Sequence, residues 1–296
     1  MTAQVKKKFL VQNNIYLFTL EKMLKKILKM HSPSYEVVKS AYSHFKTKKY
    51  LNYNLKNDLE YNENLLSNLE LNVKFIKSIL IKYGLNYHDQ NLSWHYHLFA
   101  GFKRKFEERN IKIDKILEIG TLNGEFTNFL SEIFPNSEII SIDLNENDHS
   151  FTSSYNREDP KKLSKLLEVR KKNLDKKNIK FIIMNSLELR NNFKSNFFDL
   201  IWIDGDHLNP QVTIDIFQSL KLIKKNGIIC VDDVIKDEDI LKDKINNQYV
   251  SSESFKTLEY FSNLEYLKTK YLIKRIRGRN LDSKKFISIS ILKDFI

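Results

Sequence analysis

The chain has 296 residues, 42% of them hydrophobic and 12% aromatic, which is enough apolar material for a full core, so disorder is not the default expectation. No run reaches the roughly 20 apolar residues of a membrane span, Gln12-Asn13-Asn14 interrupts the leader-like start, and the lone Cys230 excludes an internal disulfide, so a reducing, cytoplasmic setting is expected. The net charge of +12 is unevenly placed: residues 1–110 hold 19 lysines and arginines against 9 acidic residues, whereas residues 111–296 hold 30 against 28.

The first 110 residues read as a helical extension. Leu17, Leu20, Leu24 and Ile27 share one helical stripe, which His31-Ser32-Pro33-Ser34 ends, and a second helix is predicted over Tyr35 to Lys48. The Asn-rich stretch from Asn52 to Asn64 reads as a connection. A third helix then runs from about Leu65 to Tyr83, burying Leu69, Val73, Ile76 and Leu80, with Gly84 placed as a left-handed C-cap. A fourth spans Leu92 to Arg109. The lysines here are scattered, as on solvated helix faces, although a basic extension also fits a nucleic-acid partner. Covering a substrate or joining copies into a homo-oligomer are the other expected uses.

From residue 111 onward the pattern becomes an alternating one. Ile116–Ile119, Ile139–Asp143, Ile179–Met184, Phe198–Asp204 and Ile228–Asp232 are short apolar strand candidates, with helices predicted after the first and over Pro160–Leu174 and Pro210–Lys225. Strand and helix in alternation predict an open α/β fold around a mostly parallel sheet. The end differs, since Tyr271–Ile276 and Phe286–Leu292 are joined through Gly278-Arg279-Asn280 as an antiparallel hairpin, making seven strands. Four of the seven glycines, Gly120, Gly124, Gly205 and Gly227, sit beside strand ends in this region.

Chemistry-bearing residues fall at the carboxyl ends of these strands. Glu118-Ile-Gly120-Thr121-Leu-Asn-Gly124 lies between the first strand and a helix, where glycines and free N–H groups admit a ligand, although a plain strand-to-helix turn reads the same way. Asp143 ends the second strand, as a ribose-binding acid does, or as a turn cap does. Asn185-Ser186 ends the third and can meet an adenine edge or cap the next turn. Asp204-Gly205-Asp206-His207 ends the fourth and Asp232-Asp233 the fifth, which brings carboxylates and an imidazole to one sheet edge. Asp206 reads best as a cap. His95 and His97 face each other poorly at i, i+2, Trp202 is expected in the core, and Tyr155 with Arg157 lies in a polar loop that can serve as a lid.

Taken together, Glu118-x-Gly120-x-x-x-Gly124, Asp143, Asp204-Gly-Asp-His207 and Asn226-Gly-Ile-Ile-Cys-Val-Asp-Asp233 resemble the class I S-adenosylmethionine-dependent methyltransferases, closest to metal-dependent O-methyltransferases of the catechol and macrocin/mycinamicin sugar types. The resemblance covers roughly residues 112–235 and implies a Rossmann-like methyltransferase fold with a C-terminal hairpin. It implies cofactor contacts from Glu118, Gly120, Thr121, Gly124, Asp143, Asn185, Ser186 and Asp204. It also implies Mg²⁺ on Asp204, Asp232 and Asp233, with Asp204 and His207 as the catalytic pair. Leu122 replaces a glycine of the general motif, and Asn185 stands where an aspartate is common. The expected reaction is methyl transfer to a hydroxyl of a small molecule such as a sugar, with Mg²⁺ or Mn²⁺ lowering the hydroxyl pKa and His207 taking the proton. The rivals are a metal-independent N-methyltransferase, an RNA methyltransferase gripping phosphates through the basic extension, and a cofactor-binding protein without catalysis.

Overall fold

The computed structural model describes residues 54–153, 157–236, 252–276 and 284–293. The chain divides into two compact units, Met1–Asn52 and Tyr53–Ile296, and every described residue belongs to the second. The helices expected before residue 49, Tyr155 and the Gly278-Arg279-Asn280 loop lie outside the described residues.

Three helices come first: α1 (Leu55–Asn68), α2 (Val73–Lys82) and α3 (His95–Glu108). This corrects the expected single helix from Leu65 and the expected connection over Asn52 to Asn64. Asparagine at a helix start accepts from a free backbone N–H, and two asparagines do so here. Asn54 Oδ1 accepts from Asn57 N at 3.1 Å and Asn72 Oδ1 from Phe75 N at 3.2 Å. Glu70, at φ 58°, breaks the chain between the two helices. The Asn-rich composition therefore marks helix starts, not a linker. Gly84 takes the left-handed conformation expected of it, at φ 69°.

The α/β part follows: β1 (Lys115–Ile119), α4 (Glu125–Ile133), β2 (Glu138–Asp143), α5 (His149–Thr152), α6 (Pro160–Leu174), β3 (Ile179–Ile183), a 3₁₀ turn over Ser186–Glu188, α7 (Leu189–Asn192), β4 (Phe198–Ile203), α8 (Gln211–Leu222), β5 (Ile223–Val234), α9 (Glu253–Asn263), β6 (Leu267–Ile273) and β7 (Phe286–Leu292). The strands form one seven-stranded sheet in the order β3-β2-β1-β4-β5-β7-β6. The first five are parallel, and β7 runs antiparallel to both β5 and β6. The sheet is therefore an α/β Rossmann-like methyltransferase fold with helices at its N-terminal side.

Topology alone then decides where chemistry collects. The strand order reverses between β1 and β4, and such switch points open ligand crevices beyond the carboxyl ends of the strands. Because β7 is antiparallel to its neighbours, the end of β6 and the start of β7 lie at that same edge. The core is continuous from the helices into the sheet. Phe99 of α3 meets Phe126 of α4 and the fully buried Trp202 of β4 edge-on at centroid distances of 5.2 and 5.7 Å. His97 is core as well, stacked on Trp94 at 4.3 Å with Nε2 on the Tyr87 carbonyl. Among the described residues no helix is long and apolar enough to cross a membrane.

Candidate active site

The loop after β1 is shaped by its contact with the loop after β4. Gly120 has φ 94°, and a Cβ there would stand 2.2 Å from the Asp204 carbonyl oxygen, so no other residue fits. Asp204 N donates back to the Ile119 carbonyl at 2.8 Å. Gly124, at φ 71°, starts α4, where a Cβ would press on Leu174. Beneath the loop lies Glu118, 2% exposed, whose Oε2 accepts from Thr127 Oγ1 and, at 2.6 Å, from Ser141 Oγ. Thr121 joins the same group through Ser141 Oγ at 2.6 Å. Burial pushes the Glu118 carboxyl up to about 7.

Asp143 stands at the end of β2 with both oxygens engaged by the protein. Oδ2 accepts from Leu122 N at 2.9 Å and Arg170 Nη2 at 3.0 Å, and Oδ1 from Leu144 N at 2.8 Å. Burial raises its pKa, against Arg170, which lowers it. Arg170, unremarked in the sequence, also donates Nε to the Leu122 carbonyl and lies over the Phe151 ring. It holds together the turn that Asp143 and Leu122 share. Asn185 Oδ1 caps the 3₁₀ turn, accepting from Leu187 N at 2.9 Å. Ser186 Oγ accepts from Gln211 Nε2 at 2.6 Å, and Gln211 also reaches Asp215, a buried acid that desolvation raises to about 6.

The other side of this sheet edge is gathered from four strands. His207 Nε2 lies 3.6 Å from Asp204 Oδ1 and 3.9 Å from Asp233 Oδ2. Burial holds the imidazole below its ordinary pKa, against Asp233 and Asp232, which raise it, so it is neutral at pH 7. Asp204 keeps 35% of its side chain exposed, and its carboxyl is pushed up by desolvation and next by the Asp232 charge. Asp206 Oδ1 accepts from Leu208 N, the capping role expected of it.

Asp232 and Asp233 are consecutive, so a regular strand would send them to opposite faces. Instead the pairing of β5 with β7 shifts between Val231 and Val234, and Asp233 takes φ 50°. This bulge aims both carboxylates at one group, Lys274 at the end of β6. Lys274 Nζ donates to Asp232 Oδ2 and, at 2.5 Å, to Asp233 Oδ1. Lys285, just before β7, donates to Asp233 Oδ2 at 2.6 Å. Lys274 keeps only 8% of its side chain exposed, and its carboxylate partners hold its pKa up despite burial.

The expectation of Mg²⁺ on Asp204, Asp232 and Asp233 is not supported by this arrangement. The three acids do come together, but an ammonium group lies between two of them. Among the described residues no group of His, Cys, Asp and Glu is disposed to hold a metal ion. Sequence reading passed over both lysines, because their meeting with Asp233 depends on the hairpin register and on the bulge. It also undervalued α3. His95 is buried, bonds Ser93 Oγ at 2.9 Å and feels the charges of Asp232 and Lys274, with burial driving its pKa to about 3. Tyr96 packs edge-on against Phe129, and burial with Glu125, Glu118 and Asp204 raises its pKa.

Residues 117–234, which span this site from β1 to β5, match the family model for a methyltransferase domain. That match, over 118 of the 296 residues, agrees with the sheet order above in supporting an S-adenosylmethionine-dependent methyltransferase. Solved structures of similar fold include a protein described as a caffeoyl-CoA O-methyltransferase from Staphylococcus aureus, at 17% identity and TM-score 0.48, covering 80% of this chain and 99% of that one. An O-methyltransferase from Bacillus cereus in complex with SAH matches at 17% identity and TM-score 0.44, covering 81% and 100%. Cofactor-bound Rv0187 from MTB matches at 18% and 0.45, covering 63% and 76%. No curated protein matches in sequence.

Proposed function

We propose that the chain transfers a methyl group from S-adenosylmethionine to a hydroxyl of a small molecule, with a sugar or similar metabolite as the acceptor. The observation that carries this is the contact between Gly120 and Asp204, which sets the glycine loop directly against the acid and imidazole of the acceptor side. An in-line displacement needs donor carbon and acceptor oxygen held within van der Waals reach, and a loop that excludes even a Cβ supplies that closeness.

In this reading Gly120, Thr121 and Gly124 border the methionine part of the cofactor and Glu118 supports them from below. Asp143 takes the ribose hydroxyls on lone pairs that Arg170 and two backbone N–H groups leave over, and Asn185 and Ser186 flank the adenine. The acceptor O–H loses its proton to the neutral His207 Nε2, the new imidazolium is held by the ionised Asp233, and Asp204 orients the pair. The oxygen then forms its bond to the methyl carbon as the carbon–sulfur bond breaks, and the bonding pair stays on sulfur. The amine-substrate alternative loses support, because Lys274 and Lys285 already neutralise much of the charge that would hold an ammonium substrate. The buried, lone Cys230 fits a reducing, cytoplasmic setting.

Calorimetry with S-adenosylmethionine, followed by a screen of hydroxylated acceptors with labelled cofactor, tests this. Cofactor binding with label on oxygen is expected. A protein that binds no cofactor sinks the reading, and one that binds it yet labels only amines or RNA corrects the acceptor.

A further inference from the structure

We propose that Lys274 is a built-in cation of the acceptor site: its ammonium, pinned by Asp232 and Asp233, does what a divalent metal would do, so methyl transfer here needs no metal. This rests on the methyltransferase reading above and concerns the charge that stabilises the acceptor oxygen.

Three observations carry it. The first is the bulge. Two consecutive carboxylates reach one nitrogen only because β5 gains an extra residue against β7 and Asp233 adopts a left-handed conformation. Backbone strain at a non-glycine residue persists where the surroundings overdetermine it, and here it serves to converge two acids on Lys274. The second is anchoring. Lys274 N donates to the Lys285 carbonyl and its own carbonyl accepts from Trp94 N, both at 2.8 Å. One residue earlier, Asn62 of α1 pairs with both the N–H and the carbonyl of Ile273 at 2.9 Å. The lysine therefore projects from backbone held on both sides, unlike a surface lysine that has drifted onto an acidic patch.

The third is charge balance. Lys274 and Lys285 place two ammonium groups on the carboxylates of Asp232 and Asp233 and so offset both of them. A divalent ion added to the cluster would overcompensate, and one displacing Lys274 would strand a side chain that is 8% exposed without its partners. An ammonium is a compact point charge with three donors, and two of them are assigned to the carboxylates. The remaining N–H and the charge are available to the acceptor oxygen as it gives up its proton to His207 and turns negative. The ammonium is neither consumed nor deprotonated in the step. The proton leaves on His207, and the electron pair of the broken carbon–sulfur bond leaves on sulfur.

The test uses the full chain with Mn²⁺ as a paramagnetic probe. The wild type is expected to leave the free Mn²⁺ resonance undiminished and to keep its turnover in EDTA. Lys274→Met is expected to lower kcat by about 100-fold or more with the affinity for S-adenosylmethionine unchanged. Lys274→Ala, which opens the space, is expected to gain Mn²⁺ binding. Wild-type Mn²⁺ binding that Asp232→Asn abolishes, or turnover lost to EDTA and restored by Mg²⁺, overturns the proposal without relying on any lysine variant. A Lys274→Met enzyme within a few-fold of wild-type kcat overturns it too. Failure of the wild type to bind S-adenosylmethionine is a separate result that removes the methyltransferase reading itself.

Discussion

The two halves of the sheet edge are built on opposite rules. At the ends of β1 and β2, polar groups are satisfied by their own neighbourhood: Glu118 takes two hydroxyls, and Asp143 takes two backbone N–H groups and a guanidinium. At the ends of β4, β5 and β6, charge is concentrated, and His207 stands between two carboxylates without a direct hydrogen bond to either. The first half has its polar groups satisfied before any ligand arrives. In the second, His207 lies close to two carboxylates without being bonded to either, which leaves it able to exchange a proton during a reaction. Binding and chemistry should therefore respond separately to substitution.

The largest effect should come where the halves touch. Gly120→Ala forces a Cβ to 2.2 Å from the Asp204 carbonyl at a φ that L-residues rarely adopt, so both loops must move. We expect loss of on the order of 3 kcal/mol or more of stability and of measurable cofactor affinity, seen as a lowered Tm that S-adenosylmethionine no longer raises. A variant that binds cofactor normally would show that the two loops are not mechanically joined.

His207→Ala should separate the halves. Cofactor affinity by calorimetry should stay near wild type while kcat/KM falls by about 10²- to 10⁴-fold. The wild-type acid limb belongs below the ordinary imidazole range, because burial lowers the His207 pKa more than Asp233 and Asp232 raise it, with Lys274 and Lys285 adding to the lowering. Rate should be lost as pH falls through that lowered value, when the base becomes protonated, and this limb should vanish in the variant. An unchanged profile in His207→Ala would assign the proton to another group.

Glu118 tests the donor half. Its ordinary pKa of 4.5 rises to about 7 when folded, so the native state keeps a proton that the unfolded chain releases. Stability is then fully present below pH 4.5 and is lost as pH rises to 7, by roughly 3 kcal/mol. Glu118→Gln keeps an oxygen for Thr127 and Ser141 and should remove that slope. Denaturant unfolding at pH 5 and pH 8 gives the difference directly. Parallel curves for the two proteins would mean that the carboxyl is ionised at both pH values.

How much of this was legible in the sequence follows the same division. The donor half is local: Glu118, Gly120, Gly124 and Asp143 lie on consecutive strand ends, and their spacing displays the loop and the fold. The seven strands were readable because each contains a short, bounded apolar run, although β5 and β6 begin earlier than expected, at Ile223 and Leu267, and the helix expected to reach Lys225 ends at Leu222. Lys274 and Lys285 could not be found that way. Their partners are about 40 to 50 residues distant, and the contact depends on a one-residue bulge that no periodicity shows. The break between α1 and α2 was missed for a different reason, since asparagine caps helices and fills linkers alike, and composition does not separate the two uses.

The smallest expected effect is the one that links the N-terminal helices to the chemistry. β6 is an edge strand, and its outward backbone groups at Ile273 have no strand to pair with. Asn62, fully buried on α1, substitutes for that strand with its amide, giving one bond to the N–H and one to the carbonyl. Asn62→Ala leaves both backbone groups without these partners and should cost about 2 kcal/mol in denaturant unfolding. Because Lys274 is the next residue, the loss should also show in turnover. We expect kcat to fall several-fold in protein that is still fully folded at the assay temperature, with cofactor affinity unchanged. If turnover holds while stability drops, α1 merely covers the edge, and the position of Lys274 is set by β7 and Trp94 alone.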